Sequence, residues 1–206
     1  MNPPGHPPGH PPGHSKCLAI AGLVLLSVAW TTAGSAQETG RWGAADAAIV
    51  RLPPSAFAQL PEAVAREMQR RRCTVPQPWE LFISSPANVI SGEFQKPGQI
   101  DWAVLCSADR VSSLLIFWNG SADQVERIGD AAADRGGLQV ARGEEIGYSI
   151  AIYPVDEAYI LDHYNAYGGP EPPPIDHQGI NYAFIEKASV VLYRYEGEWL
   201  HLQGAD

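Results

Sequence analysis

The sequence predicts an α+β domain: an antiparallel meander of about five to seven strands with about two helices packed on one face of it. Three observations carry this prediction. Between Asn88 and Gly129, short runs rich in β-branched and aromatic residues alternate with period two and are separated by turn residues. The segments Leu60–Cys73 and Asp156–Gly169 have helical spacing and helix-end signals instead. The chain has 206 residues, enough for one ordinary domain and too few for two comfortable ones.

The first helix is read from "LPEAVAREMQRRRC". Pro61 suits its first turn, and Leu60, Val64 and Met68 form a stripe at i, i+4. Glu62 with Arg66, and Glu67 with Arg71, are i, i+4 pairs in the favoured order. "TVPQP" stops the helix after Cys73. The strands "NVISGEF", "DWAVLCS", "SSLLIFWNG" and "DQVERIG" follow closely, so they pair antiparallel. Trp102, Val104 and Cys106 share one face, and Leu114, Ile116 and Trp118 share another. "GYSIAIYPV" is a fifth strand.

Asp156 opens the second helix with early acids, and a Gly pair closes it. "PEPPPIDHQGIN" is neither helix nor central strand, because three consecutive prolines donate no ladder bonds. In "SVVLYRYEGEWLHLQ", Glu196-Gly197 is a two-residue hairpin turn. That turn sets Tyr193 opposite Leu200 and Val191 opposite Leu202 on one face. On the other face it sets Arg194 opposite Trp199, within cation–π reach, and Leu192 opposite His201.

Upstream of the domain, residues 1–36 read as a leader and a secretory signal. Three tandem Pro-Pro-Gly-His copies, Pro3–His14, have period four, which excludes a collagen helix. Their composition favours extended, solvated chain. Lys16 is the only charged residue before Glu38. It precedes an apolar run, Leu18–Trp30, and small residues at Gly34 and Ala36, the pattern of a cleaved export signal. Cleavage after Ala36 leaves Gln37 as the N-terminus, with Gln37–Pro54 as a flexible arm and 55–206 as the globular domain. Cys17–Ala36 is also twenty uncharged residues long, so membrane contact is expected only if this segment stays uncleaved. The expected localisation is periplasmic or secreted.

Removing Lys16 moves the net charge from −9 to −10 and leaves all 23 acidic residues. Such a chain repels phosphate backbones, which argues against a nucleic-acid partner. The basic run Arg66, Arg70, Arg71 and Arg72 suits a helix C-terminus. Cys73 and Cys106 remain after cleavage, and an even count in an exported chain predicts a disulfide between them.

Three stretches stand out as candidates for chemistry. "GEFQKPGQIDWAVL" resembles the FG-GAP or VCBS-type repeat through Gly92, Phe94, Gly98, Asp101, Ala103 and Val104, about fifteen residues. In that family the loop oxygens can bind calcium. Calcium needs six to eight oxygens, usually with several carboxylates. Here Gln95, Lys96 and Pro97 stand between Phe94 and Gly98, and Glu93 and Asp101 are the only carboxylates. More broadly, the layout from Asn88 to Asp206 is similar to exported bacterial proteins without an assigned activity, so the resemblance implies export and no reaction.

The second candidate, "ILDHYNAYGGPEPPPIDHQGIN", holds two Asp-His pairs, Asp162-His163 and Asp176-His177, chemically suited to zinc. The third is the set of aromatics Tyr153, Tyr159, Tyr164, Tyr167 and Tyr182 around that Pro-rich stretch. They could line a carbohydrate or peptide groove, or pack the prolyl loop onto the domain. The chain has no Gly-x-Ser-x-Gly elbow, His-Glu-x-x-His motif or phosphate-binding glycine loop. Ser84, Ser85, Ser112 and Ser113 read as ordinary strand and turn residues, and Glu144-Glu145 as a solvated acidic pair.

The functional expectation is a binding or structural module of the bacterial envelope, acting on a protein or glycan through Tyr164, Tyr167, Asp176, His177 and Tyr182. No cofactor is expected, calcium and zinc being the ions its side chains could hold. The alternative is a metal-dependent hydrolase built on His163, Asp176 and His177, with His201 as a further ligand.

Overall fold

The computed structural model describes residues 29–79 and 86–205. The Pro-Pro-Gly-His leader, most of the signal segment, and Ser84 and Ser85 lie outside the described residues. Gln37–Asp206 is one compact unit. No helix among the described residues is long and apolar enough to cross a membrane.

The antiparallel α+β expectation holds, but the strands divide into two four-stranded sheets and two short ribbons rather than one meander. The first sheet runs in chain order: β3 (Val89–Gly92), β4 (Asp101–Ala108), β5 (Val111–Phe117) and β6 (Val125–Ala133). The second is also a meander: β9 (Ile150–Val155), β10 (Gly179–Phe184), β11 (Ala188–Tyr195) and β12 (Glu198–Gln203). One ribbon pairs β1 (Arg51–Leu52) with β2 (Val75–Pro76), and the other pairs β7 (Leu138–Val140) with β8 (Ile146–Tyr148). "GYSIAIYPV" is thus two strands, broken at Ser149, whose N–H donates to Gly137 O at 2.8 Å.

The two sheets pack face to face. Phe94, Ala103, Leu114, Ile116 and Ile128 from the first meet Ile152, Ile180 and Leu192 from the second in one cluster. Each sheet carries its helix on the outer face, so the helices do not share one side. α2 (Glu62–Arg70) covers the first sheet: Val64 and Met68 are fully buried with Val104, Cys106, Leu115 and Phe117. Burial of each such side chain is worth about 1.5–3 kcal/mol. α3 (Glu157–Tyr167) covers the second through Ile160, against Val155, Val191, Tyr193 and Leu202. Its N-cap is Asp156, which accepts from Tyr159 N at 3.0 Å, and Gly168 ends it at φ 76°.

α2 ends earlier than expected. Arg71 and Arg72 form a turn, with Arg72 at φ 58°, and Cys73 N–H donates back to Met68 O at 2.9 Å. Arg70 and Arg71 both bond the Glu67 carboxyl and hold it down at about 2, the Arg70 bond being the larger cause. Cys73 and Cys106 form the expected disulfide, tying the turn after α2 to β4. The β11–β12 hairpin has the expected register at all four pairs. Pro154 sits in β9, which tolerates it because β9 is an edge strand.

The segment 37–54 was expected as a flexible arm and instead carries regular structure. α1 (Ala29–Ala48) runs into it, Ile49 is buried, and Arg51–Leu52 pair with β2. Trp42, Ala45 and Ile49 pack on Leu105, Leu138, Tyr148 and Ile150 at one end of the sandwich. β10 is a further unforeseen element, as are the short strands β2 and β7; it starts directly after the Pro-rich stretch at Gly179.

Candidate functional site

The loop between β3 and β4 is organised by Asp101, whose residue is fully buried. Its Oδ2 accepts from Phe94 N at 3.2 Å and Gln95 N at 3.1 Å; its Oδ1 accepts from Asn119 N at 2.8 Å and Gln99 Nε2 at 2.6 Å. A carboxylate offers about four lone-pair positions, and here protein donors use them. The carboxylate therefore serves as the acceptor that ties the loop together. Asp101→Ala is expected to cost about 2–3 kcal/mol, since the buried Phe94 N–H and three part-buried donors lose their acceptor. Urea unfolding checks this, and added calcium is expected to leave the wild-type midpoint unchanged.

This loop meets the Pro-rich stretch at Gln178. Gln178 N–H donates to Glu93 O at 2.9 Å, and Gln178 Oε1 accepts from Glu93 N at 3.0 Å. Gly92 is required there, because a Cβ would sit 2.6 Å from the Phe94 ring and 2.7 Å from Gln178 Oε1. The Pro-rich stretch is pinned further along. The Tyr193 hydroxyl accepts from Asp176 N at 3.1 Å, and the His177 ring stacks on Tyr193 with centroids 4.4 Å apart. His177 is buried, with Nδ1 3.0 Å from Gln178 O and Nε2 2.9 Å from Arg194 O.

The residues singled out for binding are only partly brought together. Tyr164 and Tyr167 lie on α3, where Tyr167 is 53 % exposed. Asp176 is exposed at the loop beside buried His177. Tyr182 points to the opposite side of the second sheet, packing with the cluster between the sheets, so it belongs to no surface shared with Tyr164. Of the residues singled out for metal, His163 stacks on Tyr159 at 3.9 Å with Nδ1 2.8 Å from Tyr159 O. His201 is exposed on edge strand β12. Among the described residues, no three His, Cys, Asp or Glu side chains converge as a ligand set.

Two side-chain networks go beyond the sequence reading, which foresaw only the Arg194–Trp199 contact of the first. One closes the sandwich at Arg194. Its guanidinium lies 5.4 Å from the Trp118 ring and 5.5 Å from the Trp199 ring, and bonds Glu126 Oε1 at 2.7 Å. Trp199 Nε1 donates to the same oxygen at 2.9 Å. The other is centred on Asp134, whose side chain is fully buried. Its Oδ2 accepts from Arg51 Nε at 2.8 Å and Ser107 Oγ at 2.6 Å, and its Oδ1 from Ser112 Oγ at 2.6 Å. Burial, then Tyr182 and Asp134, push the Tyr148 phenol far up, so it stays a neutral hydroxyl beside Ser112.

Tyr148 carries this network to a cavity of about 430 Å³ at the end of the sandwich. It is lined by three chain segments: Ala45, Ala48, Ile49 and Val50; Gln77, Pro78 and Trp79; and Ile146, Gly147 and Tyr148. The cavity exists because α1 presents alanine there. Ala45 and Ala48 lie at helical spacing on one side of α1, Ile49 follows directly after its end, and Ala44 and Arg41 line a neighbouring recess. Trp79 is fixed by its N–H, which donates to Tyr148 O at 2.8 Å. Its side chain rests on Gly147, where any Cβ would come within 2.9 Å of it. Gln77 spends its amide on backbone, donating to Val75 O and Ala87 O and accepting from Ala87 N.

No family model, curated protein or solved structure matches this chain. The cavity offers aromatic and branched apolar walls, a half-open mouth, and polar groups already engaged by the protein. Lining of this kind is what ligand pockets commonly have.

Proposed function

We propose that the chain is an exported binding module of the bacterial envelope whose ligand site is the cavity between α1 and β8. The ligand is a compact apolar molecule with an aromatic or branched hydrocarbon body. The observation that carries this reading is the apolar cavity of about 430 Å³ walled by Trp79, Tyr148, Ile49, Ile146 and the α1 alanines. Ligand sites generally span about 300–1,000 Å³ and are lined mainly by apolar and aromatic groups. Export is supported by the signal pattern before Ala36 and by the disulfide.

Titration with 2-naphthol, a neutral probe, tests the reading by amide NMR. Saturable shifts are expected at Ala48, Gly147 and Tyr148, with a dissociation constant on the order of 0.1–1 mM for so small a ligand. Shifts scattered over the surface, without saturation, would contradict it.

A further inference from the structure

The outer face of the first sheet extends beyond the helix that covers it. α2 stops at Arg70, and the core beneath it takes in Cys106, Leu115 and Phe117 but not Ala108, Val111 or Ser113. Beside the helix end lies a recess of about 360 Å³. It shares no lining residue with the cavity between α1 and β8. Much of its lining is apolar: Val111, Leu115 and Val125, with the small residues Cys106 and Ala108. Val111 is 42 % exposed there. The polar lining is Arg71, Ser113 and Arg127, and no acidic side chain lines the recess. In a chain of formal net charge −9, that reverses the local sign.

The three polar groups are placed for one acceptor. Arg71 gives its Nε to Glu67 Oε1 at 2.7 Å, which fixes the side chain and leaves the terminal nitrogens for another partner. Arg127 pairs across the strands with Leu115, and Ser113 lies two residues along β5 on the same face. Ser113 and Arg127 are thus diagonal neighbours, about 7–8 Å apart, within reach of a long side chain. Between Ser112 and Leu114 the register with β6 shifts, so Ser113 has no partner residue on β6 and the bulge widens the sheet at that point. Among the described residues, no hydrogen bond or ion pair engages the Ser113 hydroxyl or the Arg127 guanidinium.

We propose that this recess binds a small carboxylic acid with a compact hydrocarbon body. Arg127 and the terminal nitrogens of Arg71 take the carboxylate, the Ser113 hydroxyl donates to it, and Val111, Leu115 and Val125 cover the hydrocarbon. A carboxylate matches the planar fork of a guanidinium, which gives the charge-assisted bonds their direction. The apolar lining adds a hydrophobic contribution that a bare inorganic anion cannot use.

Amide NMR of the full chain at neutral pH compares 2-naphthoate with 2-naphthol, a neutral probe with the same ring body. Saturable shifts with 2-naphthoate are expected at Ser113, Val125 and Arg127, with a dissociation constant on the order of 1 mM. 2-Naphthol should bind there at least about threefold more weakly, the worth of a partly exposed charge-assisted pair. Arg127→Ala should weaken 2-naphthoate by a similar factor. Arg72→Ala, which removes a cation paired with Asp109 outside the recess, should leave the affinity unchanged. Equal affinity of the two probes for the wild-type recess overturns the proposal without recourse to any variant. So does 2-naphthoate that shifts only Ala48, Gly147 and Tyr148 in the other cavity. Wild-type affinity in a folded Arg127→Ala, or an equal loss in Arg72→Ala, overturns it as well.

Discussion

Asp134→Ala is expected to lower stability by about 3–5 kcal/mol, the typical cost of leaving one partner of a buried ion pair alone. The carboxylate is fully buried and receives Arg51, Ser107 and Ser112, which reach it from three different elements. Alanine leaves the Arg51 guanidinium, only 15 % exposed, with Asp46 at 3.7 Å and Ile49 O at 3.1 Å as its remaining partners. Two buried hydroxyls lose their acceptor as well. The urea midpoint measures the loss. Removing the stranded charge too, as Asp134→Ala with Arg51→Met, should recover a substantial part of it, since replacing both members of a buried pair with apolar groups is often nearly neutral. No recovery would mean that the carboxylate acts through something other than Arg51. Because Tyr148 links Ser112 to the cavity wall, the single variant should also weaken ligand binding.

Loss of the Cys73–Cys106 bond should cost about 3–4 kcal/mol in the chain-entropy model for a loop closing 33 residues. Both cysteines are nearly inaccessible, at 3 % and 6 % exposure. Reductant should therefore act slowly on the native protein and quickly in urea. The paired variant Cys73→Ser with Cys106→Ser gives the equilibrium cost, read as the shift in urea midpoint at unchanged slope. A shift below about 1 kcal/mol would show that the antiparallel bridge between Thr74 and Ser107 holds this junction alone.

What was legible in the sequence is what local chemistry decides. The β11–β12 register follows from Glu196-Gly197 and strict alternation, and α3 follows from the Asp156 cap and Gly168. The division into two sheets was not legible, because Ala103–Ser107 is buried on both faces. A strand covered by a helix on one side and a second sheet on the other reads as one apolar run. α1 was missed because its inward positions include alanine, which barely registers in an apolar pattern. The same alanines create the cavity. Its remaining walls, Trp79 and Ile146–Tyr148, are distant in sequence, as Arg51 is from Asp134. The importance of Asp101 could be read from the motif; its use by backbone N–H groups could not, since the Asn119 donor lies beyond the motif.

The ligand cavity between α1 and β8 can be filled from its rim. Ala48 is exposed and lines the cavity, while Ala47 is exposed and does not. Calorimetric titration with 2-naphthol should show at least about tenfold weaker binding to Ala48→Trp than to wild type, and unchanged binding to Ala47→Trp, with all three proteins unfolding at similar urea concentrations. Equal affinity for the wild type and Ala48→Trp would contradict a ligand site there.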